Sequence, residues 1–253
     1  MAGLGRVGRG AFARLGMLSV LTAASLAPQP AGAAERRLLV ASFENIVVIG
    51  DISVTVQTGK SVTGKASGDK RVLDSLKLER TGTTLRIRLQ DIINNDKGRP
   101  ITEPLRVVLT TQQIRDMTLS GNGALTISEV RQPDAARMLI AGGGSITISR
   151  LVSDKFSANI NGNGRIDIGG GLVRDSRVTI IGAGEYQGSK LQARKLRLEH
   201  NGNAISSATV EEGTEIYNRG SGNITIGGRG TCFIKLAGAA AISCAKIDAN
   251  TGK

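Results

Sequence analysis

The chain has no Trp, one His, two Cys, two Tyr and four Phe among its 253 residues. So few aromatics leave little stacking surface for sugar rings or unpaired bases. One His and two Cys cannot build an ordinary Cys/His zinc site, and no metal or cofactor is expected. Acids are outnumbered as well: 33 Lys plus Arg face 21 Asp plus Glu, a net charge of +12. Long apolar runs are missing too. The longest, Leu15 to Leu26, falls short of the roughly 20 residues that span a bilayer.

That short run has a different meaning. Arg6, Arg9 and Arg14 precede it without an acid, and Ala31-Gly32-Ala33-Ala34 follows it. A basic start, a short apolar core and small residues form an export signal cleaved after Ala33 or Ala34. Residues 1–34 are therefore expected to be removed, leaving a basic protein that does not cross the membrane, in the periplasm or secreted.

What the chain has in abundance is glycine, 34 residues. From residue 114 onward a glycine recurs at 121, 142, 162, 182, 202, 220 and 238, at intervals of 21, 20, 20, 20, 18 and 18. Positions four and two before each glycine, and four and six after it, are apolar in 24 of 28 cases, whereas the residue five after is always polar. Such alternation on both sides of a glycine means strand, sharp turn, strand, with one face buried. A near-constant period favours stacked coils over separate hairpins. A further apolar position at Val130, Leu151, Leu172, Leu191 and Val210 supplies a third side. The expected fold is all-β: a right-handed parallel β-helix-like solenoid of about seven coils of ~20 residues. The Gly-x-Gly pairs are corners. No helix pattern follows them, so they do not read as phosphate loops.

Residues 35–113 differ and are expected to form a β-rich section that caps or extends the solenoid. Ile46, Val48, Ile52, Val54 and Val56 alternate around Gly50-Asp51, which reads as paired strands. Val72, Leu73 and Leu76 fall at helical spacing, Leu85, Ile87 and Leu89 alternate with Arg86 and Arg88, and residues 91–104 read as a polar loop.

Phe43 to Ile46, Val48 to Val54, Leu85 to Ile87, Leu105 to Leu109 and Thr118-Leu-Ser-Gly-Asn-Gly-Ala-Leu125 together resemble the GIN domain family, an auto-transporter adhesin head domain. The resemblance covers roughly residues 41–246. It implies an exported all-β protein with no catalytic residues to carry over. The repeat runs to the end of this sequence, which leaves no segment for a translocating barrel and points to the periplasm.

Several groups are candidates for chemistry. Tyr186, His200, Ser206 and Asn218 interrupt the apolar positions of neighbouring coils and are expected to form an internal polar patch. A Ser–His pair can activate a nucleophile, but no inward carboxylate orients this one, and mutual hydrogen bonding accounts for it. Arg165 shares a column with Glu185 and explains that acid as half of an ion pair. Asp91, Asn94, Asn95 and Asp96 lack calcium-loop spacing. Cys232 and Cys244 flank the last corner and are candidates for a disulfide in an oxidising compartment. Arg137, Arg177 and Arg197 share a column, with Arg194 and Lys195 close by, and a second basic group runs from Lys65 to Arg88. Such a surface suits anionic envelope glycans or lipid head groups; another envelope protein is a further possible partner, and nucleic acid is not expected. The expected function is a non-catalytic binding or scaffolding protein of the cell envelope. The alternative is a polysaccharide lyase or hydrolase on the same scaffold, which needs paired acids.

Overall fold

The computed structural model describes residues 34–90, 103–236 and 238–248. The expected signal, up to residue 33, and the loop residues 91–102 lie outside the described residues. Residues Ala33–Lys253 gather into one compact unit, so the change of pattern near residue 113 falls inside a unit. Strand makes up 75% of the structure and helix 3%.

The repeat forms stacked coils. β8 (Asp116–Ser120), β9 (Ala124–Gly142), β10 (Ser145–Gly162), β11 (Arg165–Ile168), β12 (Gly171–Ile181), β13 (Glu185–Asn201), β14 (Asn203–Asn218), β15 (Ser221–Leu236) and β16 (Ala241–Ile247) pair in parallel, each on the next coil. The seven glycine corners enclose a solenoid of about six turns. Register follows the sequence period: Met117 lies beside Met138, Met138 beside Ala158, then Val178, Leu198, Ile216 and Ile234 in turn. Alternation in a strand sends these residues inward, and the inward columns form one continuous core.

The third side departs from its expected column in one coil. Val130, Leu151, Leu191 and Val210 are buried, whereas Leu172 is 55% exposed. Gly171 pairs with Leu151 and Leu191 in its place, and a Cβ there would run into the Leu151 carbonyl oxygen. Val173 turns inward instead.

The N-terminal section both extends and covers the solenoid. β2 (Asn45–Ile49) and β3 (Ser53–Thr58) are not partners of each other. β2 pairs with β8 and β3 with β9, placing Ile46 beside Met117, Val48 beside Leu119, Val54 beside Leu125 and Val56 beside Ile127. Gly50 is thus one more corner, on the same template as the repeat. Beyond it lie β6 (Thr84–Leu89) on β2 and β7 (Arg106–Thr111) on β3, also parallel. Antiparallel strands then close the end: β4 (Thr63–Gly68) on β7, β5 (Leu76–Thr81) on β6, and β1 (Ala34–Arg37) on β4. The helix α1 (Lys70–Ser75) buries Val72 and Leu73, and its cap Asp69 accepts from the Arg71 N–H at 2.9 Å. Covered edges of this kind block further strand pairing.

The other end is finished by covalent chemistry. β16 skips the third side, its register jumping from Ile226 to Thr231, and a disulfide joins Cys232 to Cys244 across a 6.4 Å Cα separation. Ile247 aligns with Cys232 yet is 52% exposed, because no later described coil packs on it. Reduction is therefore expected to raise amide exchange in β15 and β16 while leaving β9 to β13 protected. Uniform loss of protection on reduction would contradict this.

Candidate functional site

A groove of about 780 Å³ runs along one face across successive coils. Its walls are the outward columns five and seven residues before each corner glycine, on either side of the inward residues Ala136, Phe156, Ser176 and Leu196. The first column reads Asp116, Arg137, Ser157, Arg177, Arg197, Glu215. The second reads Ala135, Lys155, Asp175, Lys195, Gly213. Strand alternation puts both columns on the outer surface, and parallel stacking brings like positions into line.

The structure therefore gathers Arg137, Arg177, Arg197 and Lys195 in this groove. Arg194 lies outside its lining, on the neighbouring third side, where its Nε donates to Glu212 at 2.7 Å. Lys155 and Phe233 belong to the groove and do not stand out in the sequence. Counting back seven residues from Gly162 finds Lys155, and counting back five from Gly238 finds Phe233.

The ion pairs decide which charges are available. Arg137 reaches Asp116 at 3.4 Å. Arg197 Nε donates to Glu199 at 2.6 Å, Nη1 to Glu215 at 3.3 Å, and the guanidinium lies 4.4 Å from the Tyr217 ring centre. The Glu199 hydrogen bond holds the Arg197 guanidinium above its usual range, with burial opposing it. Arg177 lies 4.0 Å from Glu199. Each groove acid already has an Arg: Asp175 has Arg174 at 3.2 Å, Glu212 has Arg194, and Glu215 has Arg197. Lys155 and Lys195 are exposed and have no ion-pair partner among the described residues.

The second basic group is partly neutralised, with Lys77, Arg80 and Arg86 outside the ion pairs of the described residues. Lys65 pairs with Glu35, Lys70 with Asp74 at 2.7 Å, Arg71 with Asp69 at 2.8 Å, and Arg88 with Glu79 at 2.6 Å. The Arg88 hydrogen bond holds the Glu79 carboxyl below its usual range.

The internal polar residues are also adjacent. Tyr186 stacks beside Ser206, and His200 between Ile180 and Asn218. His200 Nε2 and Ser206 Oγ share a hydrogen bond of 2.7 Å, and Asn218 Nδ2 donates to the Gly220 carbonyl at 2.8 Å. His200 is 2% exposed. Burial pushes its pKa down to about 4 and pushes the Tyr186 phenol up, the Ser176 hydroxyl opposing that shift. Gly188 makes room for the ring, since a Cβ there would meet Tyr186 Oη at 2.5 Å. A cavity of about 300 Å³ lies against His200, lined also by Thr179, Arg197, Glu199 and Tyr217, although the His200 side chain itself is turned inward. The cluster's sequence signal is the run of polar exceptions in the apolar columns.

Paired acids are accounted for in the same way. Arg165 sits between Glu185 at 2.5 Å and Asp167 at 3.6 Å. Among the described residues no group of three or more His, Cys, Asp or Glu is placed to hold a metal ion, and no helix is long and apolar enough to cross a membrane.

Comparison with curated proteins gives no match. Among solved structures, the chain is similar to a "putative adhesin" from Bacteroides fragilis, with 16% identity, a TM-score of 0.68, and coverage of 86% of this chain and 97% of that one. It is similar to a "putative lipid binding protein" from Parabacteroides distasonis, with 18% identity, a TM-score of 0.60, and coverage of 86% and 96%. A "putative adhesin" from Parabacteroides merdae shares 14% identity at a TM-score of 0.63, with coverage of 84% and 96%. These likenesses establish the fold. The family description "Putative auto-transporter adhesin, head GIN domain" matches residues 42–230, and the chain belongs to that GIN domain family.

Proposed function

We propose that this chain is a non-catalytic, adhesin-like binding protein of the cell envelope, whose groove holds an anionic ligand. The observation that carries the reading is the pair Lys155 and Lys195. Both are exposed in the groove without an ion-pair partner among the described residues, while every groove acid is already engaged by an Arg. A concave surface whose unpaired charges are of one sign concentrates ligands of the other sign. The export signal read from residues 1–34 and the family's adhesin description support an envelope setting.

The test is retention of the purified protein on anionic envelope glycans and on vesicles of anionic lipid, at low and at moderate salt. Binding at low salt that falls steeply as salt rises is expected, because exposed charges are screened beyond the Debye length. Lys155→Gln with Lys195→Gln is expected to weaken retention, whereas Arg150→Gln, outside the groove and paired with Glu129 at 3.6 Å, is expected to leave it unchanged. Absence of retention on every anionic surface at low salt would overturn the reading.

A further inference from the structure

The groove's charges have a pattern beyond their sign. One coil after another, the cations change sides: Arg137 in the first column, Lys155 in the second, Arg177 in the first, Lys195 in the second with Arg197 opposite. The positions between them hold Ala135, Ser157 and Asp175, the last already engaged by Arg174. The result is a zigzag over four coils, the last carrying a cation on both sides, that advances by about 4.8 Å at a time. Acids bound this run at both ends of the first column, Asp116 before it and Glu215 after it. It therefore spans four coils, about 14 Å from first to last at that spacing.

We infer that the groove selects an extended glycan with one carboxylate on every sugar, successive carboxylates lying on opposite edges of the chain. This rests on the groove being the binding site. A 1→4-linked ribbon of uronic acids with a two-fold twist advances by roughly one coil spacing per sugar and turns each carboxylate to the side opposite the last. Its charges then meet Arg137, Lys155, Arg177 and Lys195 in turn. A polymer with one carboxylate per disaccharide presents its charges on one edge only and satisfies one column. The side chains fit such a ligand. Lys155 and Lys195 are unengaged point charges, Arg177 is held by Glu199 only at 4.0 Å, and Arg137, 64% exposed, meets Asp116 at 3.4 Å through Nη1. Ser157, half-buried between two cations, offers a hydroxyl to a sugar edge. The two columns offer no further cation on the coils next to Arg137 and Arg197, where they hold Asp116, Glu215 and Gly213, so only about four sugars are read.

The probe is a ladder of galacturonic acid oligomers, from dimer to octamer, titrated calorimetrically into the full chain at low salt beside hyaluronan oligomers of equal sugar number. Affinity is expected to rise from dimer to tetramer and then level off. The tetragalacturonate is expected to bind at least tenfold more tightly than hyaluronan of equal length. Lys155→Gln and Lys195→Gln are each expected to weaken the tetramer roughly threefold, and together about tenfold, as exposed charge pairs do; Arg150→Gln is expected to change nothing. Equal, salt-sensitive binding of both polymers would overturn the alternating-carboxylate inference and leave the anionic groove standing. Binding to anionic vesicles without binding to either glycan would overturn the glycan in favour of a lipid surface. Loss of all binding at low salt would overturn the inference and the proposed function together.

Discussion

Gly142→Ala is expected to destabilise the protein by about 3 kcal/mol, lowering its melting midpoint by roughly 6–12 °C for a unit of this size. Two costs add. Gly142 has φ +126°, a conformation that side chains rarely adopt, and a Cβ there would lie 2.6 Å from the Gly121 carbonyl oxygen of the preceding coil. Left-handed strain costs about 1–3 kcal/mol, and forcing backbones apart in a packed stack costs about as much again. The clash is with main chain, so no rotamer change relieves it. The adjacent Gly143→Ala is the control. It has no left-handed φ, and its Cβ would meet only the tip of the Asn122 side chain at 2.9 Å. That change is expected to stay within about 0.5 kcal/mol. Thermal melts of the two variants decide the matter, and equal shifts would refute the account of the corner.

Between pH 8 and pH 5 the protein is expected to lose about 2 kcal/mol of stability through His200 alone, as a group with a folded pKa near 4 and an unfolded pKa near 6.5 must. The sign follows from the proton balance. The folded state keeps the imidazole neutral, while the unfolded chain takes up a proton as pH falls through 6.5. The loss therefore begins near neutrality and is complete near pH 4. Among the described residues nothing inside rescues the cation: Nε2 faces Ser206 at 2.7 Å, Nδ1 is buried with no partner there, and the neighbours in the stack are Ile180 and Asn218. Because His200 is the one histidine, the variant His200→Asn is expected to flatten the pH 5–7 part of the profile. Urea melts at pH 5 and 8 provide the measurement. An unchanged slope in the variant would mean that other groups carry it.

The repeat is legible because stacking makes one position answer to the same neighbours in every coil, so composition repeats with geometry. The corner glycines and the polar exceptions at His200, Ser206 and Asn218 are visible for that reason. The coil at Gly50 obeys the same template, with Ile46, Val48, Val54 and Val56 in the inward positions. Its kinship is hidden because α1 and β4 to β7 intervene before Gly121, and a fixed-period reading stops at such an insertion. Leu172 resembles a core anchor since the third side lacks the strict alternation of the other two; Gly171 displaces it by one residue. The groove is half legible. Arg137, Arg177 and Arg197 share a phase and can be found from it, whereas Lys155 lies two residues off that phase and needs the partner column to be recognised. The pairing of Arg194 with Glu212 depends on side-chain reach across coils, which spacing alone does not report.

The out-of-order first rung also governs how the molecule is assembled. β2 and β3 acquire their flanking strands only when β6 and β7 on one side, and β8 and β9 on the other, have been made. The coils from Gly142 to Gly220 need contacts only about twenty residues away along the chain, and short-range contacts form fastest. Folding is therefore expected to start in these middle coils and to set β2 and β3 late. The strands β2 and β3 act as a keystone, set in place once the arch around them stands.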